Sequence, residues 1–200
     1  MIVRNSYGLL YDTERVWGLI KEENTTVTKI YLRFLILFAA MPPVAAFIGA
    51  THVGWGVGVG ENHRLTTESA MSASVLAYLA ILAGVYFITQ MTRWMAKIYG
   101  ATPSLRDCFA LVTYSLSPLF LAGLSAVYPI LWLNVLLGMV GFSLSIKLLY
   151  TGTSVMMDLN KEQGFILASS ILVAGMVTFT GVLVTIVIFW GLGLSPTIAV

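Results

Sequence analysis

The stretch CFALVTYSLSPLFLAGLSAV, Cys108 to Val127, is followed after only Tyr128 and Pro129 by ILWLNVLLGMVGFSLSIKLLY, Ile130 to Tyr150. Each run has the roughly 20 apolar residues that ~30 Å of hydrocarbon requires at about 1.5 Å of rise per residue. A two-residue connection leaves room only for a tight antiparallel hairpin, so the pair reads as two membrane crossings that fold back on each other. Three further runs have the same character. Phe34 to Ala50, extended by Tyr31 and Leu32, precedes the hairpin, as does Ala70 to Thr92, whose one strongly polar side chain is Gln90. The last run extends from about Phe165 to Leu194. The fold class expected is therefore all-α: a polytopic membrane protein whose residues 34–200 form a five-helix transmembrane bundle. Pro42 and Pro43 stand in the middle of the first run and predict a kinked helix, with the freed carbonyls covered by neighbouring helices.

Composition agrees with this reading and removes several function classes. A chain that is 58% hydrophobic and 10% charged, with mean hydropathy +0.88, lies outside the range of soluble globular domains. The single cysteine, Cys108, cannot form an internal disulfide, and two histidines are too few for a Cys/His zinc cluster. A net charge of +2 without a basic block gives no basis for nucleic-acid binding. Residues 1–33 are polar and charged, and they lack the apolar core and small-residue cleavage site of a secretory signal, so this segment is expected to be retained.

Orientation follows from the basic residues near the helix ends. Arg4, Arg15, Lys21, Lys29 and Arg33 precede the first crossing. Arg93, Lys97 and Arg106 flank the second connection, and Lys147 and Lys161 flank the fourth. Ten of the 11 basic residues thus fall on one side and Arg64 on the other. The N-terminus is expected in the cytoplasm and the C-terminus outside.

Within residues 1–33, TERVWGLIKEE at Thr13 to Glu23 sets Val16, Trp17, Leu19 and Ile20 against charged neighbours, the pattern of a short amphipathic helix. It reads as an interfacial anchor with Trp17 at headgroup depth, or as a docking helix for a partner. Arg93 and Lys147, each near the end of its run, are expected to anchor the interface by snorkelling. Gly54, Gly56, Gly58 and Gly60 lack the preceding strand and the closing Gly-Lys-Ser/Thr of a phosphate loop, and read as an external turn. His52, Glu61 and His63 in the same connection form a weak candidate metal set.

Catalysis in a membrane calls for ionisable residues at depth, and none stands well inside a run. Gln90 and Asn134 are uncharged and suit interhelical hydrogen bonds. No Ser-His-Asp, paired-carboxylate or His-Glu-x-x-His arrangement occurs, so neither an enzyme nor a cofactor is expected. In the third run, Ser104 is placed to cap the helix with Asp107 three residues on. Tyr114 and Pro118 share a face, and Pro118 frees the carbonyl of Tyr114, giving either a structural kink or a small polar notch for a ligand.

These residues carry a resemblance. The segment Val16-Trp17-Gly18-Leu19-Ile20-Lys21-Glu22-Glu23, the Ala46-Phe47-Ile48-Gly49 and Gly54-Trp55 stretch, and the pattern Pro103-Ser104-Leu105 through Tyr114 to Ser117-Pro118-Leu119-Phe120-Leu121 resemble the Yip1-domain membrane proteins, in particular their bacterial inner-membrane members. Tyr128-Pro129 and Leu148-Leu149-Tyr150 to Asn160-Lys161-Glu162 extend the likeness. The resemblance implies a five-helix membrane domain in a bacterial inner membrane, with the C-terminus in the periplasm. Eukaryotic members act in Golgi and endoplasmic reticulum trafficking and contact Rab-type GTPases through a long cytoplasmic N-terminal region. Only residues 1–33 stand in that place here, so a Rab-adaptor role is not carried over.

Two functions are compatible with these observations. One is a non-enzymatic protein that organises or scaffolds partners in the bilayer, those partners being membrane lipids, other membrane proteins or further copies of itself. The other is a small oligomeric transporter, channel or lipid-handling protein built on the helices interrupted at Pro42, Pro43 and Pro118 and on the polar Gln90, Tyr114 and Asn134. Five crossings do not divide into two equal repeats, which counts against an inverted-repeat carrier within one chain.

Overall fold

The computed structural model describes residues 13–23, 25–54, 64–191 and 197–199. A short helix, α1 (Thr13–Glu22), precedes α2 (Val27–Val53), α3 (Thr67–Ile98), α4 (Leu105–Val127), α5 (Leu131–Met157) and α6 (Lys161–Gly191). The helices α2 to α6 are long and apolar enough to cross a membrane, as the hydropathy runs predict. They outreach those runs at several ends, and α3 continues through Arg93, Trp94 and Lys97 before it stops.

Consecutive long helices run in opposite directions and leave two ends. The N-terminal end gathers α1, the α3–α4 connection and the α5–α6 connection. At the other end, Arg64–Leu65 (β1) pairs antiparallel with Ile198–Ala199 (β2). Thr66 N–H donates to the Thr197 carbonyl at 3.1 Å, and the Thr66 and Ser69 hydroxyls lie 2.8 and 2.9 Å from that of Thr197. The chain's last described residues therefore meet the start of α3, on the opposite end from α1, as five crossings require.

The prolines are accommodated in two ways. In α2 the helix is not interrupted at Pro42 and Pro43, which sit inside the α-helical Ile36–Ile48. Its departures from α geometry are π turns at Tyr31–Leu35 and Gly49–Val53, where the backbone widens to i→i+5 pairing. In α4, Pro118 ends one helix and starts another. An α-helix over Leu105–Ser115 stops at Leu116, a second covers Ser117–Ala122 with Pro118 in its first turn, and a 3₁₀ turn, Gly123–Val127, closes the crossing. Proline has no N–H to give the carbonyl four residues back and clashes with it. That carbonyl, of Tyr114, instead accepts a hydrogen bond from the Ser117 hydroxyl at 2.7 Å.

The core forms around α4, in which every residue from Cys108 to Ser115 is buried. Small residues let the neighbours approach it. A Cβ on Gly123 would come within 2.7 Å of the Pro42 ring, and one on Gly141 within 2.7 Å of the Ala122 methyl and 3.0 Å of the Pro118 carbonyl oxygen. Close backbone approach at glycine is how helices gain packing where lipid supplies no hydrophobic drive. The α4–α5 turn is closed by Asn134, whose Nδ2 donates to the carbonyls of Tyr128 and Ile130 at 2.9 and 3.1 Å while its Oδ1 accepts from the Ser125 hydroxyl at 2.5 Å. The outer faces of α3, α5 and α6 expose Leu76, Trp132 and Phe179 among many large apolar side chains, as lipid contact demands.

The packing makes a stability prediction. A Cβ on Gly49 would overlap the Ala126 carbonyl oxygen, whereas nothing lies within 4 Å of one on Gly84. Gly49→Ala is expected to lose roughly 1–3 kcal/mol as an overpacked site does. Thermal unfolding in mild detergent should show this loss for Gly49→Ala and not for Gly84→Ala.

A candidate functional site at the N-terminal end of the bundle

The helix α1 buries Thr13, Val16, Trp17 and Ile20, spaced as one face of a helix, and turns Glu14, Arg15, Leu19 and Glu22 outward. Trp17 is 0% exposed. Its indole lies over Gly152 of α5, where a Cβ would come within 2.5 Å of Cε2, and Leu111 of α4 approaches the same point. The indole of Trp17 thus faces protein and not lipid headgroups. An apolar face at helical spacing serves a bilayer surface or a protein surface equally well, and Gly152 supplies the notch that decides between them.

Arg106, at the start of α4, holds the other end of α1. Its Nη2 donates to the carbonyls of Ile20 and Glu23, its Nη1 to that of Lys21 at 3.2 Å, and its Nε to that of Thr25 at 3.2 Å. The last carbonyls of a helix have no partner within it and carry the negative end of its dipole. A guanidinium brings several donors in a fixed fork and suits that end. Asp107 Oδ1 accepts from Nη1 at 2.7 Å and orients the fork. Ser104 caps α4 as expected, its oxygen accepting from Asp107 N–H at 3.1 Å while its hydroxyl reaches Asp107 Oδ2 at 2.5 Å.

Lys21 completes the contact by reaching in the opposite direction. Its Nζ donates to the Val155 carbonyl in the last turn of α5 at 2.9 Å and pairs with Asp158 at 2.5 Å. Asp158 takes the left-handed conformation, φ 53°, that ends α5. One cation of α4 therefore caps α1, and one cation of α1 caps α5.

The remaining sequence candidates are dispersed. Tyr114 is buried in α4 with its ring edge-on to Phe34 at 4.8 Å. Its freed carbonyl accepts from Ser117 Oγ at 2.7 Å, so that acceptor is already satisfied within the chain. Gln90 Nε2 donates to Tyr86 OH at 2.8 Å on the outside of α3. Asn134 is spent on the α4–α5 turn. Arg93 is half-buried, with its Nε enclosed and without a hydrogen-bond partner, and Lys147 is exposed on α5. His52 Nδ1 lies 2.8 Å from the Thr51 hydroxyl. Glu61 and His63 lie outside the described residues, among which no three His, Cys, Asp or Glu side chains gather as metal ligands would. Sequence reasoning missed Arg106, which it counted only toward orientation, and Gly152. The available signal was a basic residue in the first turn of a helix, where the dipole disfavours it unless another helix end draws it.

Taken together, the arrangement is one of attachment: charged groups bind backbone ends, and an aromatic ring fills a glycine notch. The fold and this site define a five-span helical membrane protein with a further short helix built into one end. The Yip1 domain matches residues 7–183, a segment that takes in α1, and the chain belongs to that family. It is 37% identical over 187 residues to "Inner membrane protein YohC" of Escherichia coli strain K12, covering 94% of this chain and 96% of that relative. The protein of the same description from Escherichia coli O6:H1 strain CFT073 is 37% identical over the same 187 residues. No solved structure matches the chain.

The attachment has a measurable strength. Trp17→Ala is expected to cost roughly 3–5 kcal/mol, as truncation of a large buried aromatic does. Arg106→Gln should cost about 1.5–3 kcal/mol for each charged hydrogen bond not replaced. Exposed Arg15→Gln serves as the control, and thermal unfolding in detergent should rank Trp17→Ala and Arg106→Gln well below it.

Proposed function

We propose that this protein is a non-enzymatic organiser of the bacterial inner membrane, with its N-terminus in the cytoplasm and its C-terminus in the periplasm, and that the outer face of α1 is its contact surface for other membrane proteins. The supporting observation is the rigid attachment of α1, by Trp17 on one side and Arg106 on the other. A helix held in this way presents Glu14, Arg15, Leu19 and Glu22 in a fixed array. A preorganised surface binds without the cost of ordering it first. The ten-to-one distribution of basic residues supports a cytoplasmic N-terminus. The description of the E. coli relatives as inner membrane proteins supports the compartment. The transporter reading draws less support, because Tyr114, Pro118 and Asn134, which would line a path, are engaged in packing and in closing a turn.

Two measurements test the proposal. A cytoplasm-sensitive reporter placed after Met1 or within Lys97 to Ser104 should be active, and one at Gly60 or Val200 should report the exterior. Activity at Val200 would contradict the orientation. In cells, proximity crosslinking from α1 should give defined membrane-protein or self adducts that the Glu14→Lys/Glu22→Lys variant loses with its thermal midpoint unchanged. Identical adducts from that variant would contradict the contact surface.

A further inference from the structure

The helix α3 carries a polar stripe that the fold does not use. Tyr86, Gln90, Arg93 and Lys97 follow at i, i+4, i+7 and i+11, which sets them along one face. That face is distinct from the buried one of Val85, Thr89, Thr92 and Ala96. Tyr86 is 56% exposed, Lys97 is exposed, and Phe87 and Trp94 beside them are exposed as well, so the stripe borders the hydrocarbon. Gln90 Nε2 donates to the Tyr86 oxygen at 2.8 Å. This leaves the phenol hydrogen and the second amide hydrogen as donors.

A turn nearer the N-terminal end, Arg93 Nε is enclosed and lacks a hydrogen-bond partner. Neither Arg93 nor Lys97 forms an ion pair among the described residues, in contrast to Lys21 and Arg106. Arg93 is half-buried and Lys97 exposed, so at the edge of the hydrocarbon their charged heads are left to find an acceptor outside the chain. The order along the stripe, two cations outermost and uncharged donors about one and two turns deeper, is the order of acceptors in a glycerophospholipid, whose phosphate lies above its ester carbonyls.

We propose that this face of α3 binds one anionic glycerophospholipid from the leaflet at the N-terminal end. Arg93 and Lys97 hold the phosphate, Gln90 and Tyr86 donate toward the ester carbonyls, and an acyl chain lies along Phe87. Two cations against one phosphate favour an anionic over a zwitterionic headgroup. This site is separate from the outer face of α1, and neither proposal depends on the other.

The test is native mass spectrometry of the full chain in mild detergent, titrated with phosphatidylglycerol or with phosphatidylcholine of the same acyl chains. One phosphatidylglycerol is expected to bind first, and more tightly than phosphatidylcholine. Arg93→Gln/Lys97→Gln should weaken it about tenfold or more, the size of one well-made charged contact. Removing the same charge from α2 by Lys29→Gln/Arg33→Gln, both exposed, should leave the first binding step nearly unchanged. Equal weakening by the two double variants would overturn the site in favour of bulk charge. Equal binding of the two lipids, or displacement by inorganic phosphate at matched concentration, would overturn its lipid specificity. Should the Arg93 variant fail to fold, Lys97→Gln and Gln90→Leu carry the same test, and unchanged phosphatidylglycerol binding in both would overturn the proposal.

Discussion

The guanidinium of Arg106 holds the carbonyl-bearing end of α1 against the bundle, and the arrangement of the N-terminal end follows from that contact. Its donors reach the carbonyls of Ile20, Lys21, Glu23 and Thr25, groups that would otherwise need water at the edge of a membrane. With that end fixed, Trp17 can fall only where α5 leaves room, which is at Gly152. Lys21, one turn further along the same face, then reaches the open carbonyl of Val155. Each cation answers a helix dipole that is not its own, so α1, α4 and α5 are joined chiefly by charge-assisted bonds to backbone, to which the surface pair of Lys21 with Asp158 adds little.

Within the membrane the bundle is held by other means. Three buried hydroxyls turn back on their own helices, Thr89 donating to Val85, Thr92 to Ile88 and Thr153 to Leu149, each over four residues, while those of Thr113, Ser115 and Ser145 are enclosed without a hydrogen-bond partner. Helices meet where a side chain is missing, at Gly49, Gly123, Gly141 and Gly164. The last helix is joined by two hydroxyl pairs, Tyr150 with Ser169 at 2.7 Å and Tyr99 with Ser170 at 3.4 Å. Such contacts average about 0.6 kcal/mol in membranes, so the shape of the glycine surfaces, more than polar bonding, sets how the long helices fit.

The sequence discloses the crossings and conceals the way they face. Hydropathy separates lipid from water, and for that reason the five spans and the tight hairpin at Tyr128-Pro129 are legible, although the connection takes in Ile130 as well. It does not separate lipid from the interior of the protein, because both are apolar. Trp17 therefore reads as a headgroup residue although it is a core residue, and Gly152 passes unremarked although its missing side chain admits the indole. The break at Pro118 is legible, but the hydrogen bond that Ser117 supplies to the freed carbonyl from the adjacent position is not. Arg106 is visible only as a topological charge, since its partners are backbone carbonyls, which every sequence has. The pairing of Arg64–Leu65 with Ile198–Ala199 is equally hidden, as two residues on each side leave no periodic signal.

That α1 is an integral part of the bundle rather than a helix resting on the bilayer can be tested on the unmodified protein. Amide hydrogen exchange in lipid nanodiscs reports how often each backbone bond opens. The backbone amides of Trp17 through Lys21 should be protected to a degree close to those of Phe109 through Thr113, because the Arg106 bonds and the Trp17 contact must break before α1 can open. Exchange of the α1 amides at the rate of a freely fraying surface helix, with those of α4 still protected, would contradict the account.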